Sequence, residues 1–169
     1  MDILIRIKDG LIVLGPFVTA LGLFLTFIQL RRNWRVQKAQ FLSTINKDFF
    51  EDSDFRKFFY KIDYREFKFD EKKIDIFQGS DDERHLDALL YQYNLLGQLV
   101  RMKLLKIEEL EFIAFEIVRI FDNDDVKKYL AWLDKEYEQF GNIGKSRRKR
   151  SFDNARWLVG KLSESDNRA

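Results

Sequence analysis

From Gly10 to Leu30 the chain carries no charged residue, a run of 21 positions. As a helix rising 1.5 Å per residue it is about 32 Å long, enough to cross a hydrocarbon core of roughly 30 Å. No other feature narrows the possible folds as much. The run is a membrane span, a core helix of a soluble protein, or a cleaved leader. It exceeds the apolar stretch of a secretory leader, and no A-x-A site follows it. The expected form is an uncleaved signal-anchor, a single transmembrane helix over residues 10–30.

The flanks set an orientation. Arg6 and Lys8 precede the run, whereas Arg31, Arg32, Arg35 and Lys38 follow it at once. The larger basic cluster stays in the cytoplasm, which leaves residues 1–9 as a short extracytoplasmic N-terminus. Trp34 has the amphipathic ring of an interface anchor, so Arg31, Arg32, Trp34 and Arg35 form the expected collar at the headgroups. The location this implies is a membrane, crossed once.

Within the run a second pattern appears. Gly15, Thr19, Gly22, Thr26, Gln29 and Asn33 are spaced 4, 3, 4, 3 and 4 apart. At about 100° per residue they lie within an arc of roughly 80°. Val13, Phe17, Phe24, Phe27 and Ile28 occupy the opposite side. Small residues let helix backbones approach, and threonine or glutamine bonds across such a contact. A polar stripe also suits a water-filled path. Three readings stay open: chance, helix–helix packing and a pore lining. Pro16 stands in the first turns of the run, where its missing N–H costs least.

The periodicity continues past the collar. Trp34, Phe41, Ile45 and Phe49 keep helical spacing with no glycine or proline between them. One helix is expected from about residue 10 to about 50, its part from 31 to 50 a cytosolic stalk. A cytosolic helical domain over 51–162 and a frayed tail over 163–169 should follow. In that domain a short helix starts after Ser53. The stretch DYREFKFDEKKIDIFQGS reads as a loop with a short extended piece. Ser80 and Glu83 make a capping box for a helix burying Leu86, Leu89, Leu90, Tyr93, Leu96, Gly97, Val100 and Leu104. A further helix buries Leu110, Ile113, Ala114, Ile117, Val118 and Phe121, and the next buries Val126, Tyr129, Leu130 and Leu133 up to Gly141 as C-cap. SFDNARWLVGKL closes the series. The single proline, eight glycines and helical periodicity define the fold class as all-α, an N-terminal transmembrane helix continuing into a helical bundle.

Chemistry is sparse. The chain has no cysteine and one histidine, so thiolate sites and paired-histidine metal motifs are excluded. His85 stands in the first turn of a capped helix, where a surface side chain is expected. RNA-cleaving HEPN domains, which are helical, place an arginine shortly before a histidine. The corresponding window before His85 (Gln78, Gly79, Ser80) holds none. QFGNIGKS ends like a phosphate loop, but Gln139 replaces its first glycine and no apolar strand precedes it. EDSD, SDDE and DNDD stand at helix starts, where carboxylates cap N–H groups. No enzyme, cofactor, metal or small-molecule substrate is expected.

With 30 basic and 28 acidic residues the net charge is only +2, so attraction to an anionic partner must be local. The sharpest local feature is KSRRKR, with Lys145, Arg147, Arg148, Lys149 and Arg150. It reads first as a solvated loop between helices, and otherwise as a lipid-headgroup contact or as a contact to nucleic acid or an acidic protein.

The order QLRRNW, then QKAQFLSTINKDFFEDSDFRKFF, then LLYQYNLLGQLVRMKLLKIEELEF resembles small single-span bacterial membrane proteins with a cytosolic helical domain, over Arg31 to about Phe140. In architecture it is similar, more distantly, to the membrane accessory protein of type VI-B CRISPR systems. That resemblance implies a homo-oligomeric pore of a bacterial inner membrane in antiphage defence, its stripe of Gly15, Thr19, Gly22, Thr26 and Gln29 facing inward. The expected function is thus a homo-oligomeric inner-membrane protein, with a pore as one form, whose cytosolic domain controls assembly or opening. The alternative is a membrane-tethered adaptor whose bundle binds a cytosolic effector protein or nucleic acid. Nine aromatics between Phe49 and Phe69, more than so small a core readily buries, motivate that alternative.

Overall fold

A computed structural model describes the backbone of residues 2–51, 53–140 and 151–166, and the side chains of 17–47, 51, 54–138 and 151–164. The protein is all-helical, with no strand among the described residues. It divides into two compact units, residues 1–45 and 46–169.

The first unit is the body of one long helix, α1 (Asp2–Glu51). It starts eight residues before the expected position near residue 10. DILIRIKDG contains no proline, and its single glycine does not stop a helix that good formers continue on both sides.

The second unit holds α2 (Ser53–Asp63), α3 (Ile74–Phe77), α4 (Asp81–Arg101), α5 (Glu111–Asp122), α6 (Asp124–Phe140) and α7 (Asp153–Asp166), with 3-10 turns at Glu71–Lys73 and Ile107–Leu110. The connection after α2, expected to be a loop, carries both the first 3-10 turn and α3. Its aromatics explain the missing helical period. Phe67 and Phe69, two apart, are both buried, and Phe77 joins them. Phe69 meets Phe77 edge-on at 5.1 Å and Tyr129 of α6 at 5.3 Å, an arrangement aromatic quadrupoles favour. With Phe58 and Phe59 also inside, four of the seven of these aromatics whose side chains are described are core residues.

The centre of the unit is α4. Ser80 Oγ accepts the Glu83 N–H at 3.2 Å, while the Glu83 carboxylate accepts from Gly79 N–H, one residue earlier than a strict capping box. Gly79 has φ 77°, a left-handed turn that glycine adopts without strain. Leu86, Leu89, Leu90, Tyr93, Leu96, Gly97 and Val100 are buried as their spacing predicts. The helix ends at Arg101, before Leu104. Lys103 takes the left-handed position (φ 59°), and Leu104 N–H bonds back to Leu99 C=O at 3.0 Å. That turn leaves Leu104 half-buried and puts Leu105 in the core instead.

Packed on α7, α2 and α6, α5 buries Ile113, Ile117, Ile120 and Phe121, whereas Ala114 and Val118 are half-buried. Asn123 joins three elements. Its Oδ1 caps α6 through the Asp125 and Val126 N–H groups, and its Nδ2 donates to Ile62 C=O at 2.9 Å. Val126, Tyr129 and Leu130 of α6 are buried, and Leu133 is half-buried. The expected cap at Gly141 lies outside the described residues.

Helix α7 packs on α4 through a socket with three parts. Asn94 Oδ1 accepts the Asn154 and Ala155 N–H groups at 3.1 and 3.3 Å, capping α7 from another helix. A Cβ on Gly97 would lie 2.2 Å from Asn154 C=O, so only glycine permits this approach. Arg101 donates to Asp153 and Asn154, both at 2.9 Å, and lies 5.0 Å from the Trp157 ring centroid. The segment entering α7 is fixed by Asp134, which accepts from Ser151 N–H at 2.9 Å and from Arg156 at 2.9 Å. So anchored, α7 runs to Asp166 and includes part of the tail expected to fray from residue 163.

Candidate functional site

The feature that sets this chain apart is the described part of α1. Every residue from 17 to 36 is exposed, including Phe17, Val18, Leu21, Leu23, Phe24, Leu25, Phe27, Ile28 and Leu30. Their exposures run from 45% (Ile28) to 71% (Phe17), and they cover the helix except along the stripe of Thr19, Gly22, Thr26 and Gln29. Isolated apolar residues on a surface are ordinary, but so broad a continuous apolar face is not. At about 25 cal/mol per Å², covering such side chains releases roughly 1.5–3 kcal/mol each.

Thr19, Gly22, Thr26, Gln29 and Asn33 of the stripe are exposed as well, and Gly15 lies in α1 outside the described side chains. Thr26 Oγ donates to the Gly22 C=O at 2.8 Å, one turn back. That bond satisfies the hydroxyl proton inside its own helix and leaves the oxygen's lone pairs outward. The expected cross-helix bond from Thr26 is reduced to an acceptor role. Gly22 meets nothing: a Cβ there has no neighbour within 4 Å. The collar residues Arg31, Arg32, Trp34 and Arg35 are all exposed.

No helix among the described residues is long and apolar enough to cross a membrane. From Phe17 to Leu30 the described apolar segment has 14 residues, about 21 Å of helix. The other seven uncharged residues, 10–16, lie outside the described side chains.

The second unit offers little for catalysis. No cluster of metal-binding side chains occurs among the described residues. His85 is half-buried rather than on the surface, with its ring 5.5 Å from Phe58. A cleft of about 290 Å³ where α2 meets the α5–α6 turn is lined by four aspartates and four cations. Ion pairs brace it: Arg119 with Asp63 at 2.5 Å, and Asp125 with Lys128 at 2.9 Å and Lys68 at 3.4 Å. Burial alone pushes Asp125 up, but Lys128 and Lys68 outweigh it and hold the carboxyl below its ordinary value. Asp87 shows the reverse. Burial raises it, against the hydrogen bond it accepts from Tyr129 at 2.8 Å. Tyr93 is fully enclosed and its hydroxyl has no partner among the described residues. Burial, then the charge of Glu116, pushes its ionisation well above the ordinary value, so it stays neutral. The basic run of Lys145, Arg147, Arg148, Lys149 and Arg150 lies outside the described residues.

Two features escaped the sequence reading. The Asn94–Gly97–Arg101 socket was hidden because Gly97 reads as one more small residue on a buried face. The exposed ladder Arg56–Tyr60–Tyr64 has a spacing of 4 and 4 that was visible in principle. No family model, curated protein or solved structure matches the chain.

Proposed function

We propose that the protein is rooted in a membrane by α1 and assembles there with copies of itself, while the second unit controls assembly or opening. The broad apolar face from Phe17 to Leu30 carries this reading, because those side chains need a cover that water does not supply. The uncharged run continues back to Gly10, and the collar of Arg31, Arg32, Trp34 and Arg35 ends it as an inner headgroup layer requires. Gly22 supports self-association. None of the described residues crowds it, which leaves room for the close approach of a neighbouring helix. With Thr26 bonded to its own helix, the contact is one of close backbone approach more than of side-chain hydrogen bonds. A pore is the ring form of such an assembly, and a role in antiphage defence is the biological form that the resemblance implies.

Because the chain has no cysteine, single introduced cysteines report contacts without background. In membranes, Gly22→Cys crosslinks to a second copy on oxidation, whereas Phe24→Cys on the other side does not. Light scattering in detergent gives a multimer that Gly22→Leu reduces. Release of the protein from membranes by alkaline carbonate removes the membrane root. A monomer whose size and membrane permeability Gly22→Leu leaves unchanged removes the self-association.

A further inference from the structure

Helix α4 serves the core with one side and carries a second seam on the other. Arg84, Ala88, Tyr91, Leu95, Gln98 and Met102 are all exposed, and they are spaced 4, 3, 4, 3 and 4 apart. At about 100° per residue they fall within an arc of roughly 80°, and alternating threes and fours is the spacing that seats one helix against another. Tyr91 is 62% exposed, Leu95 45% and Met102 58%. The Tyr91 ring is held in place by an edge contact with Phe152 at 5.1 Å. Gln98 is the one uncharged polar member, its Nε2 4.0 Å from Met102 Sδ.

Charge is unequal along this seam. Asp81, Asp82, Glu83 and Asp87 stand in its first half. Asp81 contacts Arg84 and Asp82 pairs with Lys61 at 2.6 Å, but Glu83 and Asp87 have no cation within salt-bridge distance among the described residues. Arg101, Lys103 and Lys106 stand at the other end. Arg101 pairs with Asp153 at 2.9 Å, whereas Lys103 and Lys106 have no carboxylate within that distance among the described residues. A surface acidic at one end and basic at the other complements a reversed copy of itself, and a parallel copy would set acid against acid.

We propose that the Ala88–Tyr91–Leu95–Gln98–Met102 seam pairs two copies of this chain, their α4 helices antiparallel about a twofold axis at the level of residue 93. In that register Tyr91 meets the partner's Leu95, and the small Ala88 leaves room for the partner's Gln98. The first-turn acids then face the partner's Lys103 and Lys106. Six side chains are fewer than the about 20–30 per side of a stable complex, so the pairing is weak between free copies. It goes beyond the contact proposed for α1, because every residue in it belongs to the second unit.

The test uses full-length chains in a neutral detergent at about 100 µM, a concentration suited to a weak contact. The chain has no cysteine, so Tyr91→Cys chains mixed with Leu95→Cys chains report the register on oxidation. The mixed disulfide should form at least about five-fold faster than Phe115→Cys links to itself, because pairing raises the effective concentration. Phe115 on α5 is the collision control, being 65% exposed. Lys103→Glu should slow the mixed disulfide at least about three-fold, and Asp81→Lys added to it should restore the rate. Both substitutions oppose the dipole of α4, so a recovery does not come from a better helix. A Gly22→Leu background removes the contact proposed for α1 and should keep the preference for the mixed disulfide. Loss of the preference there assigns the crosslink to α1 and overturns the pairing. A rate no greater than that of Phe115→Cys overturns it too, as do faster like-with-like disulfides or no recovery by Asp81→Lys.

Discussion

Gly22 and Gly97 are the same residue in two helices that treat it in opposite ways. Around Gly97 the chain has closed in, and an added methyl would strike the Asn154 carbonyl at 2.2 Å. Around Gly22 there is nothing within 4 Å. Their neighbours follow suit. Leu96 is fully buried, whereas Leu21 and Leu23 stand more than half exposed. The second unit meets most of the demand of its apolar side chains from within the chain, and the first leaves most of that demand open. A glycine or leucine therefore means one thing in a completed core and another on a surface that awaits a cover.

The sharpest way to break this contrast is a matched pair of leucines. Leu110→Ala empties a fully buried site and should cost the second unit about 2–5 kcal/mol in chemical denaturation followed through Trp132 and Trp157. Leu23→Ala, at a 68% exposed site, should leave that transition where it was. The glycines give the next largest effect. Gly97→Ala forces backbone against backbone and should destabilise by about 3 kcal/mol, whereas Gly22→Ala should not move the unfolding of the second unit. A smaller effect has the opposite sign. Tyr93→Phe removes an enclosed hydroxyl that has no partner among the described residues and should stabilise by about 1 kcal/mol, read as a higher denaturant midpoint at unchanged slope.

The smallest effect is in the pH profile. Asp125 has a lowered folded-state value, so its contribution is complete above the unfolded-state value and is lost as pH falls through the folded one. Asp125→Asn should therefore flatten the acid side of the stability curve. Asp87 runs the other way, because its folded-state value is raised. The native state holds that proton more tightly, and stability falls as pH rises from the ordinary carboxylate value through the folded one. Asp87→Asn should gain on the parent chain over that interval, as thermal scans at stepped pH would measure.

Much of the second unit was legible in advance because its helices are amphipathic. Leu86 to Val100 and Val126 to Leu130 were readable as buried faces from spacing alone. What was not legible depends on backbone geometry that lacks its usual residue. Lys103 and Arg65 close helices at positions where glycine is the common signal, so the end of α4 was placed too late. Phe67 and Phe69 looked like surplus aromatics because their spacing of two matches no helix, yet they turn inward together. For α1 the uncharged run and the stripe were plain to read. Whether the stripe packs or lines a path is a property of an assembly, and one chain's spacing does not encode it.

Asn94 carries a consequence for how the protein could be divided. The acceptor for the first N–H groups of α7 belongs to α4, 60 positions earlier in the chain. The seam is thus written in two places, half as a receptacle and half as a plug. A backbone cut anywhere between residues 140 and 151 would leave each half incomplete in a way only the other repairs, so the two pieces should reassemble on mixing and make a ready-made split reporter.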